Sequence, residues 1–304
     1  VGEKDYHQRQ KLREMFVAEG IKNISTHANA QSLRSLMFET PPDLLVLSDD
    51  FDDDVFELAK EVRFNRLGQN PFIIISFLIN PRNTENIEKA IKVGADDIVI
   101  KPVDSQKVHD RLRLTANHRQ PFVATSEYVG PDRKSEQDRH PGARRVDVLN
   151  TLKEKANGRT FEQWELKEAV DECLNKVVEA QLSSQSMKMG ALCDVILEAY
   201  RGNLVTVQVK RNFAELTEIL REASNMATQL KDDSLQTLCL SLAENVSMME
   251  INYETLEDSD IDLIDKLSQA FRMAIDSAAQ RTQNEEEELA AKYEGRVAGD
   301  AIDI

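Results

Sequence analysis

Three points along the chain place reactive side chains directly after short apolar runs. Ser48-Asp49-Asp50 follows Leu44-Leu45-Val46-Leu47, Ser76 follows Phe72-Ile73-Ile74-Ile75, and Lys101-Pro102 follows Asp96-Asp97-Ile98-Val99-Ile100. Carboxylates act as nucleophiles or as ligands for hard divalent cations, and a lysine ammonium pairs with them. A serine hydroxyl near neutral pH is a weak nucleophile unless a base adjoins it. The acidic run from Asp49 to Asp54 also has the composition of a plain solvated loop. A second, weaker candidate is Glu222-Ala223-Ser224-Asn225, which sets an acid and an amide three residues apart on one helical face.

The elements that must position these groups alternate between helix and strand. Leu12, Met15 and Phe16 share a helical face that Gly20 ends, and Ile21 to Thr26 reads as a short strand. Leu33, Leu36 and Met37 mark a second helix, stopped by Pro41-Pro42. Uninterrupted apolar runs at Leu44–Leu47, Phe72–Ile75 and Ile98–Ile100 fit strands buried on both faces of a parallel sheet. Helical spacing at Phe56 to Val62, Ile87 to Val93 and Val108 to Leu114 separates and follows them. This order predicts an α/β fold with a doubly wound parallel sheet, whose functional groups collect at the carboxyl ends of the strands.

Gly94-Ala95-Asp96-Asp97-Ile98-Val99-Ile100-Lys101-Pro102, with Pro42-Asp43-Leu44 upstream, resembles the response-regulator receiver family of two-component signalling over roughly residues 1–118. The resemblance implies five parallel strands, an acidic pair after the first that binds Mg²⁺, and an aspartate after the third that accepts a phosphoryl group. It also implies a phosphate-reading hydroxyl after the fourth strand, here Ser76, and a lysine before a cis proline after the fifth, here Lys101. The pattern departs at the third strand, where Ser48 occupies the phosphoacceptor register and Asp49 and Asp50 are the nearest alternatives. Glu3 and Asp5 are what remains of the acidic pair; with Asp49 they are the Mg²⁺ candidates, and the first strand is absent or nearly so. The expectation is therefore a degenerate receiver without a cofactor, with a conventional receiver phosphorylated on Asp49 or Asp50 with Mg²⁺ as the alternative.

The 304 residues allow two domains of ordinary size, and the net charge of −16 argues against nucleic acid as a partner. No apolar run reaches the ~18 residues of a membrane span, and no secretory leader is apparent, so a cytoplasmic location is expected. Cys173, Cys193 and Cys239 form no Cys-x-x-Cys pair and read as buried reduced thiols. Residues 119–158, with Gly130-Pro131, Pro141-Gly142 and the basic cluster from Arg133 to Arg145, read as a mostly irregular, mobile linker.

Residues 159–283 carry helical periodicity throughout and predict an antiparallel helical bundle, followed by an acidic, flexible tail over 284–304. All five histidines (His7, His27, His109, His118, His140) precede the bundle, which excludes histidine phosphotransfer there. The Glu222/Asn225 spacing is similar to that of some receiver phosphatases, which leaves that activity as a further alternative. Abundant methionine and one very long helix predict a bundle that binds other signalling proteins and self-associates, with no catalysis of its own.

Overall fold

The structure, a computed structural model, describes residues 1–52, 54–133 and 143–299. The chain divides into two compact units, Val1–Val177 and Val178–Ile304.

The first unit is mixed α/β. Its helices α1 (Tyr6–Ala18), α2 (Ala30–Glu39), α3 (Val55–Arg63), α4 (Glu85–Lys92) and α5 (Ser105–Asn117) alternate with β1 (Leu44–Ser48), β2 (Ile74–Ile79) and β3 (Asp97–Ile100). The three strands form a parallel sheet in the order β1-β2-β3, with Val46 opposite Ser76 and Ser76 opposite Asp97. Both faces are covered, as the unbroken apolar runs require. Leu45, Leu47, Ile75 and Phe77 pack with Leu33, Met37, Leu58 and Val62 of α2 and α3, while Val46, Leu78 and Val99 pack with Leu12, Phe16 and Val108 of α1 and α5.

Among the described residues the parallel sheet has three strands and not the expected five. Residues expected to be a strand from Ile21 to Thr26 are irregular, and the expected first strand survives as a single residue's pairing. Gly2 makes isolated parallel bridges to Leu47 and to His27, donating to the Val46 carbonyl at 2.8 Å and accepting from the Ser48 amide at 2.9 Å. The fourth-strand expectation also shifts. Phe72-Ile73 precede β2, and the strand continues through Ser76 to Ile79 because Phe77-Leu78-Ile79 are as buried as the residues before them.

The described residues of 119–158 are more ordered than their composition predicts. β4 (Phe122–Ala124), β5 (Val129–Pro131) and β6 (Arg145–Val146) make a small antiparallel sheet in the order β5-β4-β6, and α6 (Thr151–Ala156) follows. Glycine and proline here form part of paired strands: Phe122 pairs with Pro131 and Val123 with Gly130. The middle of the basic cluster, including His140 and Pro141-Gly142, lies outside the described residues, as does Asp53 of the acidic run.

A buried cluster fastens this sheet to the first unit. Arg63 donates to the carbonyls of Gly94 (2.8 Å), Pro71 (2.6 Å) and Ile73 (2.8 Å), and pairs with Asp96. Arg119 pairs with the other Asp96 oxygen at 2.8 Å and donates to the Phe72 and Leu149 carbonyls. Two guanidinium groups lie over the Phe122 ring, that of Arg63 5.1 Å and that of Arg119 4.8 Å from its centroid. Burial pulls the Arg63 pKa down to about 10, against the attraction of Asp96. For Asp96, burial pushes the carboxyl up, but Arg119 and Arg63 outweigh it and hold it below the usual range.

Helix α7 (Gln163–Arg201) runs without interruption through Gly190, and the division between units falls inside it. The second unit is helical. With the end of α7 it contains α8 (Val207–Gln229), α9 (Asp233–Ile251) and α10 (Asp258–Gly299) around a core that includes Leu182, Met189, Phe213, Leu220, Cys239, Val246 and Phe271. The acidic tail is helical as far as Gly299, which its Glu-, Ala- and Leu-rich sequence favours; residues 300–304 lie outside the described residues. Cys193 and Cys239 are buried, and burial pushes both thiols up to about 12. That keeps them protonated and unreactive near neutral pH.

Candidate functional site

At the carboxyl ends of β1 and β3, four of the singled-out side chains meet: Ser48, Asp50, Lys101 and Glu3. Ser48 ends β1, is fully buried, and its hydroxyl donates to Glu3 Oε2. Lys101 follows β3, its amide bonded to the Ile79 carbonyl at 2.9 Å, and a cis peptide joins it to Pro102. Its Nζ lies 3.4 Å from the same Glu3 oxygen and 3.2 Å from Asp50 Oδ1. Glu3 is buried and reaches this position because Gly2 is bridged to both neighbours; its Oε1 accepts from the Asp5 amide at 2.9 Å. The result is a hydroxyl, an ammonium and two carboxylates at one sheet edge, with the Asp50 side chain 60% exposed. A cleft of about 440 Å³ opens beside Lys101, lined by Gln8, Lys11, Met15, Asn80 and Pro102 among others.

Asp49 is turned elsewhere. Its Oδ1 accepts from the Asn80 amide at 3.2 Å, and its Oδ2 accepts from Asn83 Nδ2 at 3.1 Å and Asn86 Nδ2 at 3.0 Å. These neutral donors bind the β1–α3 loop to the start of α4. The regular Asn-x-x-Asn-x-x-Asn spacing was the available signal, but beside Pro81 and Thr84 it reads as turn chemistry. Replacing Asp49 with alanine leaves the buried Asn86 amide and two half-buried donors without this acceptor, a loss of about 1–3 kcal/mol. Urea unfolding of the variant is expected to show that loss, with faster hydrogen exchange across α4.

Asp5 and Ser76 do not join the site. Asp5 caps α1, accepting from the Gln8 amide at 2.8 Å. Ser76, expected beyond the strand end, sits mid-strand and donates to Asp97 Oδ2 at 3.2 Å, while Arg111 lies 3.2 Å from Asp97 Oδ1. Asn80, at the end of the strand, stands where the hydroxyl was expected. Asp97 is buried, and burial raises its pKa despite Arg111 and Ser76.

The Mg²⁺ candidates are likewise not assembled. Asp5 is engaged as a helix cap and Asp49 by three amide donors, so Glu3 has neither as a co-ligand. Among the described residues no group of three or more His, Cys, Asp or Glu side chains is placed to hold a metal ion. This donor set does not fit Mg²⁺, which needs near-octahedral oxygen coordination.

On α8, Glu222 accepts from Gln185 Nε2 at 2.7 Å and Asn225 is exposed, so the acid of that pair is already tied within the bundle. No described helix is long and apolar enough to cross a membrane. No protein-family model, curated protein or solved structure matches this chain.

Proposed function

We propose that the chain is a signalling protein in which a degenerate receiver unit is coupled to a helical module that acts by protein–protein binding. The observation that carries this reading is the contact of Lys101 and Ser48 with one Glu3 oxygen. In a working receiver the lysine answers to a phosphorylatable aspartate; here a hydroxyl fills that register and a carboxylate from the chain's start neutralises the lysine. Ser48 is a poor acceptor despite its contact with Glu3, because the hydroxyl is fully buried. The unit then holds one conformation, or changes it in response to a bound protein, without phosphoryl chemistry.

A second reading is favoured by one distance. Asp50 is exposed and its Oδ1 lies 3.2 Å from Lys101, so it is the carboxylate best placed to accept a phosphoryl group. Titrating the full chain with beryllofluoride and Mg²⁺, followed by calorimetry and NMR, separates the two. The degenerate reading expects no saturable response. A saturable shift lost in Asp50→Ala would overturn it in favour of a conventional response regulator.

A further inference from the structure

Helix α9 carries an exposed seam with heptad spacing. Asp233, Thr237, Leu240, Glu244, Ser247 and Ile251 recur every three or four residues, and Met248 adjoins Ser247. The opposite side of the helix is core, with Leu235, Cys239, Leu242, Val246 and Met249 buried. On the seam the apolar side chains stand in solvent: Leu240 is 47% exposed, Met248 61% and Ile251 70%. From Leu240 to Ile251 they span about 16 Å of helix, three turns. Large apolar groups aligned over three turns of one helix mark a contact surface more strongly than scattered ones do.

Charge selects the occupant. The 19 residues of α9 include Asp233, Glu244 and Glu250 and no Lys, Arg or His. Glu244 lies in the middle of the seam, between Leu240 and Met248. A second copy docked on this face by a twofold axis would place Glu244 beside its own equivalent, and like charges juxtaposed in an interface cost several kcal/mol. A partner carrying Lys or Arg at the matching positions replaces that repulsion with pairing.

We infer that the exposed α9 seam is a docking surface for a basic amphipathic helix of another protein, seated on Leu240, Met248 and Ile251 with its lysines or arginines on Glu244 and Asp233. This deepens the reading of the helical module as a protein-binding output and rests on it. Methionine suits such a surface because its flexible thioether adapts to different apolar partners. Part of the association is electrostatic, so added salt weakens it.

The test is a calorimetric titration of the full chain with a synthetic 18-residue helix of leucines at heptad spacing and lysines elsewhere. Saturable binding is expected, with affinity falling at least tenfold in the L240Q/M248Q/I251Q variant and also in E244K. All four positions are exposed, so circular dichroism of the variants is expected to match that of the native chain. A matched peptide with glutamate for lysine is expected not to bind. Equal affinity of native chain and variants for the lysine peptide would overturn the proposal, reducing the binding to general attraction by an acidic chain. So would concentration-dependent dimerisation of the native chain that the triple variant abolishes, which assigns the seam to a second copy. A beryllofluoride response overturns the degenerate-receiver reading alone, because the α9 titration does not depend on it.

Discussion

Asp96→Ala is expected to cost the first unit about 3–5 kcal/mol, the range found when one partner of a buried ion pair is removed. The carboxylate lies between two buried guanidinium groups, with 3% of its side chain exposed against 0% for Arg63 and 7% for Arg119. It also accepts the Ile75 amide at 2.8 Å, so the loss strands a backbone donor of β2. Urea unfolding followed by circular dichroism, with hydrogen exchange read at β1 to β4, measures the effect. The pH dependence has a definite sign. The folded pKa of Asp96 lies below its unfolded value of about 3.9, so its contribution is present above that pH and is lost as pH falls through the folded pKa. Its neighbour Asp97 acts oppositely, because its raised folded pKa makes protonation favour the fold. The two groups therefore oppose one another on the acid side, and Asp97→Asn is expected to steepen the loss of stability as pH falls.

Gly94→Ala is expected to be comparably damaging, for a steric reason. Gly94 has φ +77°, where an L residue costs about 1–2 kcal/mol. An alanine Cβ there would lie 2.1 Å from the Val129 carbonyl oxygen and 3.2 Å from Gly130 Cα. Both obstacles are backbone, so no rotamer change relieves them, and overpacking adds about 1–3 kcal/mol. The sum, about 2–5 kcal/mol, is expected to fall on the docking of the β4–β6 sheet. Amides of Thr125 and Asp132, which donate to the Tyr128 and Pro121 carbonyls, should lose exchange protection before those of β1 and β2. A variant with native stability and native protection at these amides would refute the close approach of Gly94 and Gly130.

The frame of the first unit was legible because apolar runs and helical faces alternate there without ambiguity, and Lys101-Pro102 marked the last strand end. What stayed hidden involves polar residues in unusual settings. Arg63, on an amphipathic helix, reads as a solvent-facing residue, and nothing local shows that it is enclosed by carbonyls from Gly94, Pro71 and Ile73. Ser76 looked like the end of a strand because serine interrupts an isoleucine run, but its hydroxyl is satisfied by Asp97 and the strand continues. Strands of two or three residues containing Gly130 and Pro131 carry too little periodicity to be told from a loop. At the candidate site the sequence placed Ser48 and Lys101 together and named Glu3 as a Mg²⁺ candidate, but not as the partner the two share. Glu3 arrives through a single bridging residue, Gly2, rather than a recognisable strand.

Two of the tethers that hold the β1–α3 loop respond to different variables. Asp50 contacts Lys101 directly at the exposed surface, so that link weakens as ionic strength rises and the Debye length contracts from about 10 Å at 0.1 M salt to about 3 Å at 1 M. Asp49 is buried and gripped by uncharged amides, which added salt barely affects. High salt therefore releases Asp50 from Lys101 while Asp49 stays fixed to α4 and Asp52 to the start of α2, so that only the middle of the loop changes its hold.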